Sequence, residues 1–165
     1  ALEGYRQNVL LFERMAALLR AHSQTTLVIA AAGNESQRDK DPRFEIGVSP
    51  PAVAEGIISV AALGQTADGL VVAPFSNTGA NLAAPGVDVV SARLGGGLST
   101  KSGTSMATPH TAGVAALWAQ RLIKQNQLTS LNLTSRLVSS CTLQGLKADV
   151  DLFDVGSGLV QAPQD

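Results

Sequence analysis

Cysteine is almost absent from this 165-residue chain: Cys141 stands alone, which excludes an internal disulfide and any thiolate-built metal site. An excess of charge of either sign is also missing. The 12 basic and 13 acidic side chains leave a formal net charge of −1. No Lys/Arg cluster is present to release phosphate counterions, which argues against nucleic acid or a polybasic membrane surface as partner. Long hydrophobic runs are lacking too. Leu27–Ala32 and Val114–Ala119 fall far short of the roughly 20 residues of a membrane-spanning helix. No acidic cluster has the ligand spacing of a calcium site. There is no initiator Met, and Ala1-Leu2-Glu3-Gly4 does not open a signal peptide. The expectation is a chain trimmed, processed or cut from something longer.

What is present is apolar. Hydrophobic residues make up 45% and charged ones 15%, which sets disorder aside. From Leu2 to Ala21, apolar residues recur near the 3.6-residue period of an amphipathic helix. Thr25–Ala32 is a short continuous apolar run ended by Gly33-Asn34, as in a strand buried on both faces. Gln37–Arg43 is polar and reads as a solvated loop. Further strands are predicted at Gly56–Leu63, Leu70–Ala73 and Val87–Ala92, with turns at Gln65–Gly69 and Ser76–Gly79. A helix rich in small residues, read as central and buried, runs from Thr104 or Ser105 to about Lys124. A shorter helix covers Thr129–Ser140, and Gly156–Val160 forms a closing turn and strand. Short apolar strands between helices imply an α/β layered domain with a thin sheet.

The chemistry concentrates in Ser102-Gly103-Thr104-Ser105-Met106-Ala107-Thr108-Pro109-His110. A serine at a glycine-introduced helix start lies beside unpaired N–H groups that can hold an oxyanion. A plain N-cap is the other reading of the same residue. Asn34, after the Ala30-Ala31-Ala32-Gly33 run, reads by itself as one half of an ordinary Gly-Asn turn.

Gly-Thr-Ser-Met-Ala-Thr-Pro-His at 103–110, followed by Thr-Ala-Gly, closely resembles the nucleophile segment of the subtilisin-like serine proteases. Ala30-Ala31-Ala32-Gly33-Asn34-Glu35 resembles their oxyanion segment. Ser49-Pro50-Pro51-Ala52, Phe75-Ser76-Asn77, Ala84-Pro85-Gly86 and the closing Gly156–Ala162 segment follow in the family's order. The resemblance implies the C-terminal portion of a subtilisin-like catalytic domain over residues 1–165. That domain would have three layers around a mainly parallel sheet, with its N-terminal half missing. It further implies Ser105 as acylated nucleophile, and Asn34 with the Ser105 N–H as oxyanion donors. Ala31, Ala32 and Gly33 would wall a substrate pocket, and the substrate would be a polypeptide. A cis peptide within Ser49-Pro50-Pro51 is implied as well, along with a secreted or periplasmic location.

A serine hydroxyl needs a base, and the base needs an orienting acid. In subtilisins both precede the serine in chain order, Asp then His. Neither appears here in the family's setting. His110 lies five residues after Ser105, about 500° around a helix and so off its face, and it resembles the family's structural histidine, expected to bond within the core. His22 lacks the His-Gly-Thr context, and Asp39 and Asp41 lack Asp-x-Gly. The expectation is a chain inactive alone, complemented by the missing half or self-associating through the Thr25–Ala32 edge. A non-catalytic, subtilase-derived peptide- or partner-binding module is the alternative. An α/β-hydrolase is set aside, because Ala107 replaces the last Gly of Gly-x-Ser-x-Gly. No cofactor is required. A structural calcium at backbone carbonyls of residues 52–57 is possible by resemblance, with no side-chain metal ligands. Asn34-Glu35-Ser36 and Asn132-Leu133-Thr134 match the glycosylation triplet, with no glycan expected on Asn34. Cys141 reads as a small core residue.

Overall fold

The computed structural model describes residues 2–22 and 25–164. Helix α1 (Leu2–His22) precedes strands β1 (Val28–Ala31), β2 (Ile57–Thr66), β3 (Gly69–Val72), β4 (Leu82–Pro85), β5 (Val89–Ala92) and β6 (Leu98–Lys101). Helices α2 (Thr104–Lys124), α3 (Ser130–Ser139) and α4 (Leu152–Val155) complete the order.

β2 organises the sheet. β1 runs parallel to its first half, Val28 opposite Ile57 and Ala31 opposite Val60. β4 runs parallel on the other edge, from Val60–Leu82 to Leu63–Pro85. β3 turns back antiparallel against Leu63–Thr66. The sheet is therefore mixed, with its helix-flanked part parallel. Ile57 to Gly64 are all buried, the consequence of an unalternating apolar strand covered on both faces.

Side chains of a strand alternate between faces, and this builds the layers. Ile58, Val60 and Ala62 pack with Ala107 and Ala115 of α2 and Leu137 of α3. Ile57 packs with Ala16 of α1, and Ala61 and Leu63 with Val155 of α4. Helices thus cover both faces, in a three-layer α/β arrangement. Among the described strands, β1 pairs with β2 alone, and its four residues are half-buried.

Several expectations shift. The turn placed at Gln65–Gly69 is shorter, because β2 continues through Thr66 to pair with Gly69. β4 escaped notice as a strand because Leu82-Ala83-Ala84-Pro85 is short and ends in proline. β6 carries the polar Ser99-Thr100-Lys101 and closes a hairpin on β5. That hairpin turns on Gly95, Gly96 and Gly97 at φ of 84°, 102° and 77°. α2 is not buried all round: Thr104, Ala107, Thr111, Ala115 and Leu122 face the core, while Ala112, Gly113 and Ala116 are exposed. The segment 156–160 gives a turn and single bridges from Leu159 to Ala83 and Thr142 rather than a strand.

The loop 37–43 is not solvated throughout. Arg38 reaches the Ser76 carbonyl and the Asp154 carboxylate of α4, and its Nε donates to Glu45 Oε1 at 3.1 Å. The Arg38 and Asp154 side chains are only 13% and 9% exposed. A partner 116 residues away leaves no local trace in the sequence. The Pro50–Pro51 peptide is cis.

Candidate active site

Two chain segments meet at the start of α2. β1 delivers the loop 32–36, and β6 leads into the helix start, which Gly86 after β4 anchors. Gly86 makes the second approach possible: a Cβ there would lie 2.6 Å from Ala62 Cβ and 3.0 Å from the Gly103 carbonyl oxygen. Gly103 N–H donates to the Gly86 carbonyl at 2.8 Å, which fixes where the helix begins.

Asn77 holds the other segment. Wholly buried, its Oδ1 accepts the N–H groups of Glu35 at 2.9 Å and Ser36 at 3.1 Å. Its Nδ2 lies within donor range of the Ala32 and Gly47 carbonyls, Glu35 Oε2 and Ser49 Oγ. One side chain thereby satisfies a turn that has no ladder of its own. Gly33 fits above it at φ 113°, where a Cβ would come within 2.3 Å of Asn77 Nδ2.

Asn34 Oδ1 accepts from both the Thr104 N–H and the Thr104 hydroxyl, each at 2.9 Å. Thr104 Oγ1 also accepts from Gly33 N–H at 3.2 Å. A backbone N–H can only donate, so the amide oxygen must face Thr104. The Asn34 Nδ2 group is left without a partner among the described residues. The helix N-terminus shows the same economy. Met106 and Ala107 N–H donate to the Gly103 carbonyl, and Thr104 N–H to Asn34, while Ser105 N–H finds no acceptor among the described residues.

Ser105 is exposed. It borders a 320 Å³ cavity with Val89, Val90, Ser91, Met106, Pro109 and His110. No described side chain hydrogen-bonds its hydroxyl. His110, expected to bond within the core, is instead exposed and uses Nδ1 on the Met106 carbonyl at 2.9 Å. The carbonyl of the preceding helical turn is its nearest acceptor, so the ring stays on its own helix. His22 is likewise exposed, at the end of α1, with Nδ1 3.1 Å from the Leu18 carbonyl oxygen. Asp41 is spent locally on Arg43, whose guanidinium and N–H hold its carboxyl below the usual range. Of the three small residues before Asn34, Ala32 lies wholly in the core, while Ala31 and Gly33 are half-buried.

Around residues 52–57, the Pro51 and Ala54 carbonyls already accept turn hydrogen bonds. Among the described residues no three His, Cys, Asp or Glu side chains gather as a metal site. No described helix is long and apolar enough to cross a membrane.

An exposed hydroxyl at a helix start, with an unspent N–H of its own and an unspent amide on the residue bonded to its neighbour Thr104, has the parts that acyl transfer through serine uses. The chain belongs to the subtilase family, peptidase S8, whose model matches residues 5–158. It is 38% identical to a thermostable alkaline protease of Halalkalibacterium halodurans over 78% of this chain and 34% of that protein. It is 34% identical to subtilisin DY of Bacillus licheniformis over 87% of this chain and 48% of that one. Among solved structures, the prenylagaramide maturation protease PagA matches with a TM-score of 0.72 at 28% identity, over 90% of this chain and 52% of that chain. The S41 psychrophilic protease matches with a TM-score of 0.68 at 28% identity, over 84% and 49%. The chain thus spans half or less of the length of these curated relatives and about half of the two solved chains.

Proposed function

We propose that this chain carries the nucleophile and both oxyanion donors of a subtilisin-like serine endopeptidase. Ser105 Oγ attacks the carbonyl carbon of the scissile peptide, and its proton passes to a histidine base. The tetrahedral oxyanion is held by Ser105 N–H and Asn34 Nδ2. Its collapse expels the amine, which takes the proton from the base and leaves an acyl ester on Ser105. Water, activated by the same base, then hydrolyses that ester.

The observation that carries this reading is the anchoring of Asn34 Oδ1 on Thr104, which spends the amide oxygen and leaves two donors beside an unbonded hydroxyl. With no imidazole bonded to Ser105 among the described residues, the base and its aspartate come from the remaining half of the domain. Alone, the chain is inactive. Ala31 and Gly33, with the Ala32 backbone between them, form one wall of the pocket for a polypeptide substrate. The missing half covers the free β1 edge, and in its absence copies of the chain associate there. The chemistry requires no cofactor. By family likeness the protein works outside the cytoplasm, secreted or periplasmic.

A fluorophosphonate probe, whose phosphorus is captured only by an activated serine, tests this. The expected result is no adduct on the chain alone and an adduct on Ser105 once the N-terminal half is added. Labelling of the chain alone overturns its dependence on an outside base. Absence of labelling in the assembled pair favours a non-catalytic peptide-binding module.

A further inference from the structure

A second polar cleft lies at the opposite end of α2. It measures 560 Å³ and is lined by Trp118, Arg121, Gln125, Arg136, Ser140 and Gln161, among others. Arg121 follows Ser105 by sixteen helical residues, roughly 24 Å along the axis, so the cleft is separate from the serine site. Its volume falls within the range of about 300–1,000 Å³ typical of small-molecule sites.

The wall is built rather than incidental. Arg121 Nη1 donates to the Gln164 carbonyl at 2.6 Å, and its guanidinium lies 5.8 Å from the Trp118 ring centroid. Trp118 Nε1 donates to the Gln161 carbonyl at 2.9 Å, and Ser140 Oγ lies 3.1 Å from the same oxygen and 2.9 Å from the Leu137 carbonyl, sharing its one proton between them. These bonds fasten the 161–164 segment to α2 and α3 and hold Arg121 in one orientation. Arg136 contributes a second guanidinium. Among the described residues neither arginine has a carboxylate partner and no Asp or Glu lines the cleft.

Both arginines sit in the last turn of a helix, where the dipole favours a cation. That dipole supplies only about half a negative charge per helix end. Counted over the described residues, two full positive charges therefore leave the cleft net positive by about one charge. Guanidinium forks bind carboxylate and phosphate oxygens through paired, charge-assisted N–H donors. The Gln125 amide, also on the wall, offers further donors.

We propose that this cleft is a binding site for a small oxyanion, a phosphoryl or carboxyl group gripped between Arg121 and Arg136. Trp118 is the only tryptophan in the chain, so its fluorescence reports on the cleft directly. Titration of this chain with inorganic phosphate at constant ionic strength, chloride replacing it, gives a saturable change in Trp118 emission. Citrate in a parallel arm tells a carboxylate site from a phosphate site, and saturation in either arm supports the proposal. Arg136→Gln raises the dissociation constant by about tenfold or more. Arg136→Lys, which keeps the charge and loses the fork, falls between. Far-UV circular dichroism confirms that the variants are folded. A response in both arms no larger than that to chloride overturns the proposal, as does a saturable response unchanged in Arg136→Gln.

Discussion

Thr104 is the residue through which Asn34 and Ser105 become neighbours, although 70 positions separate it from Asn34. Its N–H and hydroxyl both point to the Asn34 oxygen, so the orientation of the amide is a matter of donor chemistry. Asn34→Asp keeps the acceptor and replaces the free NH₂ by a second oxygen. In the assembled enzyme the variant should stay within about 1 kcal/mol of the parent in stability, because the Thr104 bonds survive. Turnover should fall by about 10²–10³ with KM little changed, the magnitude known for loss of the equivalent donor in subtilisin itself. Thermal melts and steady-state kinetics on the same sample separate the two effects.

Cys141 gives a second test at this scale. Burial pushes its thiol up to about 11 from 9.0, and the S–H donates to the Leu137 carbonyl at 3.4 Å. Folded chain therefore keeps the neutral thiol through pH 8–9, and iodoacetamide should alkylate it about a hundredfold more slowly than the same cysteine in urea. Because the folded form holds its proton longer, Cys141 lowers stability as pH rises above 9.

Among the elements, the loop after β1 depends on two distant anchors. Asn77 fixes its near end and Arg38 its far end, through the Asp154 carboxylate on α4. Arg38→Ala leaves a nearly buried carboxylate unpaired and should cost about 3 kcal/mol in chemical denaturation. The double replacement Arg38→Met with Asp154→Leu should recover a large part of that loss, since both charges then leave together. A loss in the double variant as great as in Arg38→Ala would mean that the pair's role lies in its hydrogen bond to Ser76.

At the scale of the whole molecule, apolar surface is left over. Leu11, Met15 and Leu18 of α1 are 59%, 49% and 58% exposed, a stripe at i, i+4 and i+7 on one helix face. Together with the half-used β1 edge, they suit a covering partner better than water. Sedimentation of the chain alone should show concentration-dependent association. Leu11→Glu with Leu18→Glu should reduce it, and the N-terminal half should replace it by a defined one-to-one complex. A monodisperse monomer at high concentration would count against a covering role for this surface.

The sequence alone determined a great deal. Continuous apolar runs specified β1 and β2, the 3.6-residue period specified α1, and the segments around Asn34 and Ser105 carried the family and hence the fold. These features are local, since period, propensity and motif all act over a few residues. It did not reveal β4, β6, the anchoring role of Asn77, or the Arg38–Asp154 pair. A short strand gains its identity from the neighbour it pairs with, and a buried polar side chain gains its role from acceptors dozens of residues away. Which amide atom of Asn34 is spent, which helix face is covered and where His110 turns were decided only by tertiary packing. Hydrogen-bond satisfaction is a property of the folded whole and not of any segment.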